Sequence, residues 1–173
     1  KDKKVTKEQV EKIFELLEMG PTSANCSPAR FKFLMSDEAK EKLRPHLAEG
    51  NVDKTMSAPV VAIIGYDMDF YEELPKLFPH TDAKSWFVGK DDFIKETANR
   101  NGALQGAYLI MAARAVGLDT GPMTGFDPEG VDKTFFAGTN IKSDMLCNIG
   151  YGDPESIFDR SPRFSFDEAA EIL

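Results

Sequence analysis

Cysteine and histidine are scarce: Cys26, Cys147, His46 and His80 are all that 173 residues contain. Two thiols are too few for a disulfide framework or a cysteine zinc site, and both are expected to stay reduced. Neither histidine has another His or Cys at ligand spacing, so no metal site is expected. Basic charge is in deficit, with 21 Lys and Arg against 29 Asp and Glu, a net charge of −8 and a pI near 4.8. No basic stripe gathers anywhere, which removes nucleic acid as an expected partner and leaves solubility as what the charge supplies. The longest apolar run, residues 58–66, is far short of the roughly 20 residues that span a bilayer, and the opening KDKKVTKEQV has no apolar signal region. No membrane partner is expected, and the location reads as cytoplasmic. Also missing are a GxSxG elbow, a GxxxxGK[ST] phosphate loop and a GxGxxG turn between strand and helix, so hydrolase, P-loop and Rossmann readings lose their usual support. If the protein is an enzyme, a bound cofactor must carry most of the chemistry.

What is present is the composition of an ordinary folded chain, 42% hydrophobic and 29% charged, without repeats, low-complexity tracts or linkers. A chain of 19.2 kDa can bury about 70% of its extended surface, so residues 1–173 are expected to form a single domain with a real core.

Thr6-Lys7-Glu8-Gln9 is a capping box, and Val10, Ile13, Phe14 and Leu17 follow at helical spacing until Gly20 and Pro21 stop the helix. Residues 21–30, PTSANCSPAR, carry two prolines and small polar side chains and must be a loop of the kind that contacts ligands. A short strand is expected at residues 31–35, then a helix capped by Ser36 and interrupted by Pro45, then one or two helical turns at residues 51–57. PVVAIIGY is apolar throughout, as suits a central strand covered on both faces. Residues 71–87 form an irregular, partly helical excursion.

One long helix is expected over residues 91–116, closed by Gly117, its surface made small by Gly102, Ala103, Gly106, Ala107 and Ala112. Such a surface fits a buried central helix or a subunit interface. Asp127 as N-cap and Pro128 open another helix, residues 145–151 read as a second buried strand, and Ser165 to Glu168 is a capping box for a terminal helix. The class is α+β, a central mixed sheet of about four strands flanked by helices.

Four segments in register, PTSANCSPARF from Pro21, NVDKTMSAP from Asn51, LDTGPMTGFD from Leu118 and NIGYGD from Asn148, resemble the nitroreductase family of FMN-dependent oxidoreductases along nearly the whole chain. Within that family LFPHTDAKSWF, GLDTGPMTGFD and NIGYGD are most similar to the malonic semialdehyde reductase branch. The resemblance implies a nitroreductase-like homodimer with FMN at the subunit interface. NADH or NADPH would reduce the flavin, and hydride would then pass from flavin N5 to the second substrate, with no catalytic side chain required.

Carried over residue by residue, the resemblance assigns Pro21, Thr22, Ser23 and Asn25 to a flavin-contacting loop. Asn51 and Lys54 would face the pyrimidine edge, where an amide serves the ring's polar atoms and a cation stabilises negative charge on reduced flavin. Gly121, Pro122, Met123, Thr124 and Gly125 align with the loop whose backbone amides reach N5 and O4; many members carry glutamate where Thr124 stands, so no side-chain role transfers there. Arg160 and Arg163 fall where the family holds cations for the FMN phosphate. Members usually begin with an Arg-rich arm that also binds this phosphate; the chain starts at Lys1 without it, and residues 1–6 read as the middle of a chain.

The leading expectation is reduction of a small aldehyde, 3-oxopropanoate, to 3-hydroxypropanoate. Its carboxylate needs a cation, for which Lys54, Arg30 and Arg100 stand unranked, while Trp86 and Phe87 either wall the pocket or pack in the core. The rivals are a broad nitroaromatic or quinone reductase, a pocket for halogenated aromatics, and a flavin-free dimeric binding domain that kept the fold.

Overall fold

Four stretches extend into strands in the computed structural model, which describes residues 3–173: β1 (Ala29–Leu34), β2 (Val60–Asp67), β3 (Asp119–Met123) and β4 (Ile141–Gly150). Lys1 and Asp2, where the family's arm would join, lie outside the described residues. The sheet order is β1-β2-β4-β3. Alternate side chains of β2 point to opposite faces, so Val60, Ala62 and Ile64 enter one core and Val61 and Ile63 the other. Both faces are covered, which is why this strand is apolar without alternation.

The strand number is as expected, but the sheet is antiparallel at every pairing rather than mixed. β2 and β3 do run in the same direction, as a long helical crossover requires. β4 is inserted between them, so the two parallel strands never touch. β3 overlaps residues 121–125, which the family resemblance implies to be a loop. Gly121 and Pro122 are poor strand formers, and Pro122 is tolerated because β3 is an edge strand.

The helices largely follow their local signals. In α1 (Lys7–Leu17) the Thr6 hydroxyl accepts from the Gln9 amide at 3.2 Å, and the Gln9 carboxamide oxygen accepts from the Thr6 amide at 3.0 Å. Val10, Ile13 and Leu17 are buried, whereas Phe14 is 43% exposed and meets the edge of the Phe31 ring. Ser36 caps α2 (Asp37–Leu43), which gives way at Pro45 to the 3-10 turn Arg44–His46. α3 (Val52–Met56) follows the turn Glu49–Asn51. The aromatic excursion holds only a single α turn, α4 (Leu74–Leu77), between the 3-10 turns Phe70–Glu73 and Lys84–Trp86.

α5 (Asp91–Ala115) is the long helix, and Gly117 takes the left-handed φ of 81° just beyond its end. A Cβ on Gly102 would lie 2.8 Å from Cβ of Tyr66, so glycine is what lets α5 lie directly on β2. Both readings of its small surface are relevant: one face is buried on the sheet, while Leu104, Ala107 and Met111 remain exposed on the other. α6 (Pro128–Phe135) begins at Asp127, but the Asp127 side chain makes no capping bond; its amide instead donates to the His46 carbonyl at 2.7 Å. Beyond β4 the chain runs out exposed, with the short α7 (Phe166–Ala169) closed by its capping box. No helix of the described residues is long and apolar enough to cross a membrane.

Both cysteines are buried and free. Burial pushes each thiol from an ordinary 9.0 up to about 11. Two results follow. The folded protein should not react with Ellman's reagent at pH 8 while the urea-unfolded chain titrates both thiols, because the thiolate is the nucleophile. Since the unfolded thiols ionise first, their contribution to stability is intact below pH 9 and is lost as pH rises towards about 11, which urea midpoints across that range will show.

Candidate functional site

Asn51 ends a 3-10 turn and leads into α3, so its side chain is free to cross to the loop after β3. Its Nδ2 donates to the Gly125 carbonyl at 2.8 Å, and the Ala48 amide donates to the same oxygen at 3.0 Å. A Cβ on Gly125 would fall 2.5 Å from Asn51 Nδ2, so only glycine permits this approach. Among the described residues the amides of Thr124 and Gly125 make no hydrogen bond within the chain, leaving two backbone donors unused at the junction.

Lys54 lies one turn along from Asn51, exposed, and forms no ion pair among the described residues. The short helix beneath it is held from three sides. Asn148 Nδ2 donates to the Lys54 carbonyl at 3.1 Å, the buried Thr55 hydroxyl reaches Met123 Sδ at 3.5 Å, and Lys40 Nζ donates to the carbonyls of Met56 and Ala58 at 3.1 and 3.2 Å. A cation on the last carbonyls of a helix stabilises its end. Sequence reasoning assigned no role to Lys40; the one signal was a lysine on the apolar row of its helix, three residues before the buried Leu43.

Lys54, Gly121 and Asn148 line a cavity of about 610 Å³ together with Tyr151, Pro154 and Ile157 of the segment that follows β4. Asn148 lies in the NIGYGD segment but had no assigned role, and its Oδ1 is buried without a partner among the described residues. Met123 packs into the core, whereas Pro122 and Thr124 are exposed beside the Gly125 junction. Arg160 and Arg163 sit further along the exposed tail and do not line the cavity; Arg163 donates to the carbonyls of Ser161 and Pro162.

The early loop is elsewhere. Ala24, Asn25 and Ser27 have left-handed φ values of 49°, 50° and 36°, uncommon for residues with a Cβ. Within it Thr22 Oγ1 accepts from the Ser27 amide at 3.1 Å, and Asn25 Nδ2 donates to the Leu77 carbonyl at 2.8 Å. Pro21, Ser23 and Asn25 face solvent. This loop enters β1, whereas Gly125 leaves β3, and these are opposite edges of the sheet. Three strand spacings put them about 14 Å apart before any offset along the strands. One chain therefore does not bring Thr22, Ser23 and Asn25 together with Asn51, Lys54 and Gly125.

Two open points are decided by packing. Phe87 is core, and Trp86 is the exposed member of the pair, set against Phe78. Arg30 is paired with Asp67 at 2.9 Å and Arg100 with Glu96, which leaves Lys54 as the one of the three without an ion pair among the described residues. Among the described residues no group of three or more His, Cys, Asp or Glu is placed to hold a metal ion.

The profile of the nitroreductase family matches residues 1–152. A Stenotrophomonas maltophilia (strain K279a) protein with the provisional name NADH dehydrogenase/NAD(P)H nitroreductase is 63% identical over 171 residues, 99% of this chain and 87% of that protein. A protein of the same provisional name from Burkholderia lata is 60% identical, over 99% of this chain and 88% of its own length. Among solved structures, a nitroreductase family protein from Streptococcus pneumoniae TIGR4 superposes with a TM-score of 0.86 at 20% identity, covering 100% of this chain and 92% of that one. A provisionally named nitroreductase from Exiguobacterium sibiricum 255-15, crystallised in complex with FMN, gives 0.85 at 23%, covering 99% and 89%. At such identities these structures share the fold.

Proposed function

The chain belongs to the nitroreductase family, and from that premise we propose that it is an FMN-dependent NAD(P)H oxidoreductase whose electron acceptor is a small carboxylated aldehyde, 3-oxopropanoate. The observation that carries the site is the junction of Asn51, Lys54 and the Gly125 loop. Its donor set fits a flavin: a cation and two backbone amides without partners among the described residues, and a glycine where a Cβ would collide. When bound, FMN supplies the two-electron chemistry, accepting hydride from the nicotinamide and passing it to the acceptor.

The protein's own residues orient and polarise. Asn51 Nδ2 is engaged by Gly125, so its Oδ1 is the atom available to accept from a ring N–H. Lys54 would place positive charge beside the pyrimidine edge of a bound ring, and the amides of Thr124 and Gly125 would donate to ring acceptors without side-chain rearrangement. Lys54, without an ion pair among the described residues, also attracts the substrate carboxylate.

The site belongs to a homodimer. The early loop and the Gly125 junction lie on opposite sheet edges, so Thr22, Ser23 and Asn25 reach the ring from a second copy. Surface for that copy is present: the outer stripe of α5, and the tail with Ile157, Phe158, Phe164 and Ile172 exposed. Burying this tail in the dimer would bring Arg160 and Arg163 to the FMN phosphate.

The relatives' names favour a second reading, a nitroaromatic or quinone reductase. kcat/KM for 3-oxopropanoate and for a nitroaromatic, each with NADH and NADPH, separates the two; an aldehyde rate at background sinks the first. Full-length protein with no flavin absorbance as purified, and none gained on adding FMN, sinks both and leaves the flavin-free binding domain.

A further inference from the structure

Three polar side chains on one face of α5, Asn101, Gln105 and Tyr108, bond the backbone of the early loop and of Ala29, where the loop enters β1. Asn101 Oδ1 accepts from the Ser23 amide at 2.9 Å, Gln105 Oε1 accepts from the Ala29 amide at 2.8 Å, and the Tyr108 hydroxyl donates to the Pro21 carbonyl at 2.9 Å. Spacings of four and three residues put them in one row along the helix. We infer that this row is a positioning device, holding the loop in its left-handed conformation so that Thr22, Ser23 and Asn25 present a fixed surface to the flavin. The inference rests on the reading of that loop as a flavin contact.

Asn101 and Gln105 are only 2% and 6% exposed, and a buried amide is costly unless its polar atoms are matched. An apolar residue would fill the same space at less cost if packing were all that mattered. Asn101 uses both ends of its amide, since Nδ2 donates to the Thr97 carbonyl at 2.9 Å and the oxygen is thereby aimed at Ser23. The loop needs such external support, because Ala24, Asn25 and Ser27 adopt conformations that persist only when their surroundings over-determine them. Gly20 completes the device: a Cβ there would lie 2.2 Å from the Tyr108 ring, so glycine lets the ring lie against the chain as it enters the loop. The row is rigid because Gly102 and Gly106, interleaved with it, seat α5 on Tyr66 and Met145.

The test is FMN titration of the flavin-depleted full chain, followed by flavin fluorescence, with amide exchange measured at Ser23 and Ala29. Gln105→Met and Asn101→Leu should raise the FMN Kd by about tenfold or more, the cost of leaving a buried amide unmatched, and should speed exchange at the amide each had bound. Gln105→Glu retains an acceptor opposite Ala29 and should return the Kd to within about threefold of wild type, which a loss of general stability would not do. Tyr108→Phe keeps the ring and drops only the hydroxyl, so it reports the device even where the other variants fail to fold; about a threefold rise in Kd is expected. Folded variants that bind FMN as wild type does, with unchanged exchange, overturn the inference alone. A wild-type chain that takes up no FMN overturns the flavin reading and this one with it.

Discussion

Lys54→Met should lower kcat/KM for flavin reduction by NAD(P)H about 100-fold, the usual scale for one preorganised charge facing a developing anion. Lys54 is exposed and in no ion pair among the described residues, so its removal should change stability by less than about 0.5 kcal/mol. The helix that carries it is fastened through Asn148, Thr55 and Lys40, and none of these bonds uses the Lys54 side chain. The loss is therefore electrostatic rather than structural, and larger than in water because a flavin and a second subunit would exclude solvent there. Lys54→Arg keeps the charge but in a broader, planar group, and should recover part of the rate. Anaerobic stopped-flow reduction and the flavin midpoint potential check this: the rate falls, the potential moves negative, and both stay put if Lys54 is only a solvated surface lysine.

Ile63→Ala should destabilise the fold by about 2–5 kcal/mol, towards the upper end of that range. Ile63 is fully buried, packed in the cluster with Leu34, Leu43, Val131 and Leu146. Its strand is hydrogen-bonded on both sides and covered on both faces, so little can collapse into the space the three removed carbons leave. A loss of about 4 kcal/mol corresponds to a fall in Tm of roughly 8–16 °C for a chain of this size. Val88→Ala, at an exposed position, is the control and should change stability by less than about 0.5 kcal/mol. A thermal or urea melt in which Ile63→Ala costs under about 1 kcal/mol would mean that β2 is not the packed centre of the sheet.

Elements written in near neighbours were legible in the chain itself. The capping box of α1 joins Thr6 to Gln9, the close of α5 needs only Gly117, and the uninterrupted apolar run of β2 states that both its faces are covered. Each depends on hydrogen bonds or periodicity within a few residues, where chain connectivity has already paired the partners. The family was legible because its four segments carry their residue types in order.

Tertiary structure alone decided what depends on distant partners. β3 exists because an edge beside β4 was available to a segment of poor strand formers, and the sheet is antiparallel because β4 separates two strands of like direction. Phe14, at an apolar position of α1, stays 43% exposed and meets Phe31 of β1, a contact that only the packing of α1 on the sheet makes. Lys40 became the clamp of α3, and Asn101, Gln105 and Tyr108 the clamp of the early loop, through bonds that span 16 to 87 residues of sequence. No local propensity encodes such pairings; they form when α5 settles on the sheet through Gly102 and Gly106 and brings its polar row over the loop. The same packing put the loop and the Gly125 junction on opposite edges of the sheet, and on the proposed function the flavin contacts would therefore come from two chains.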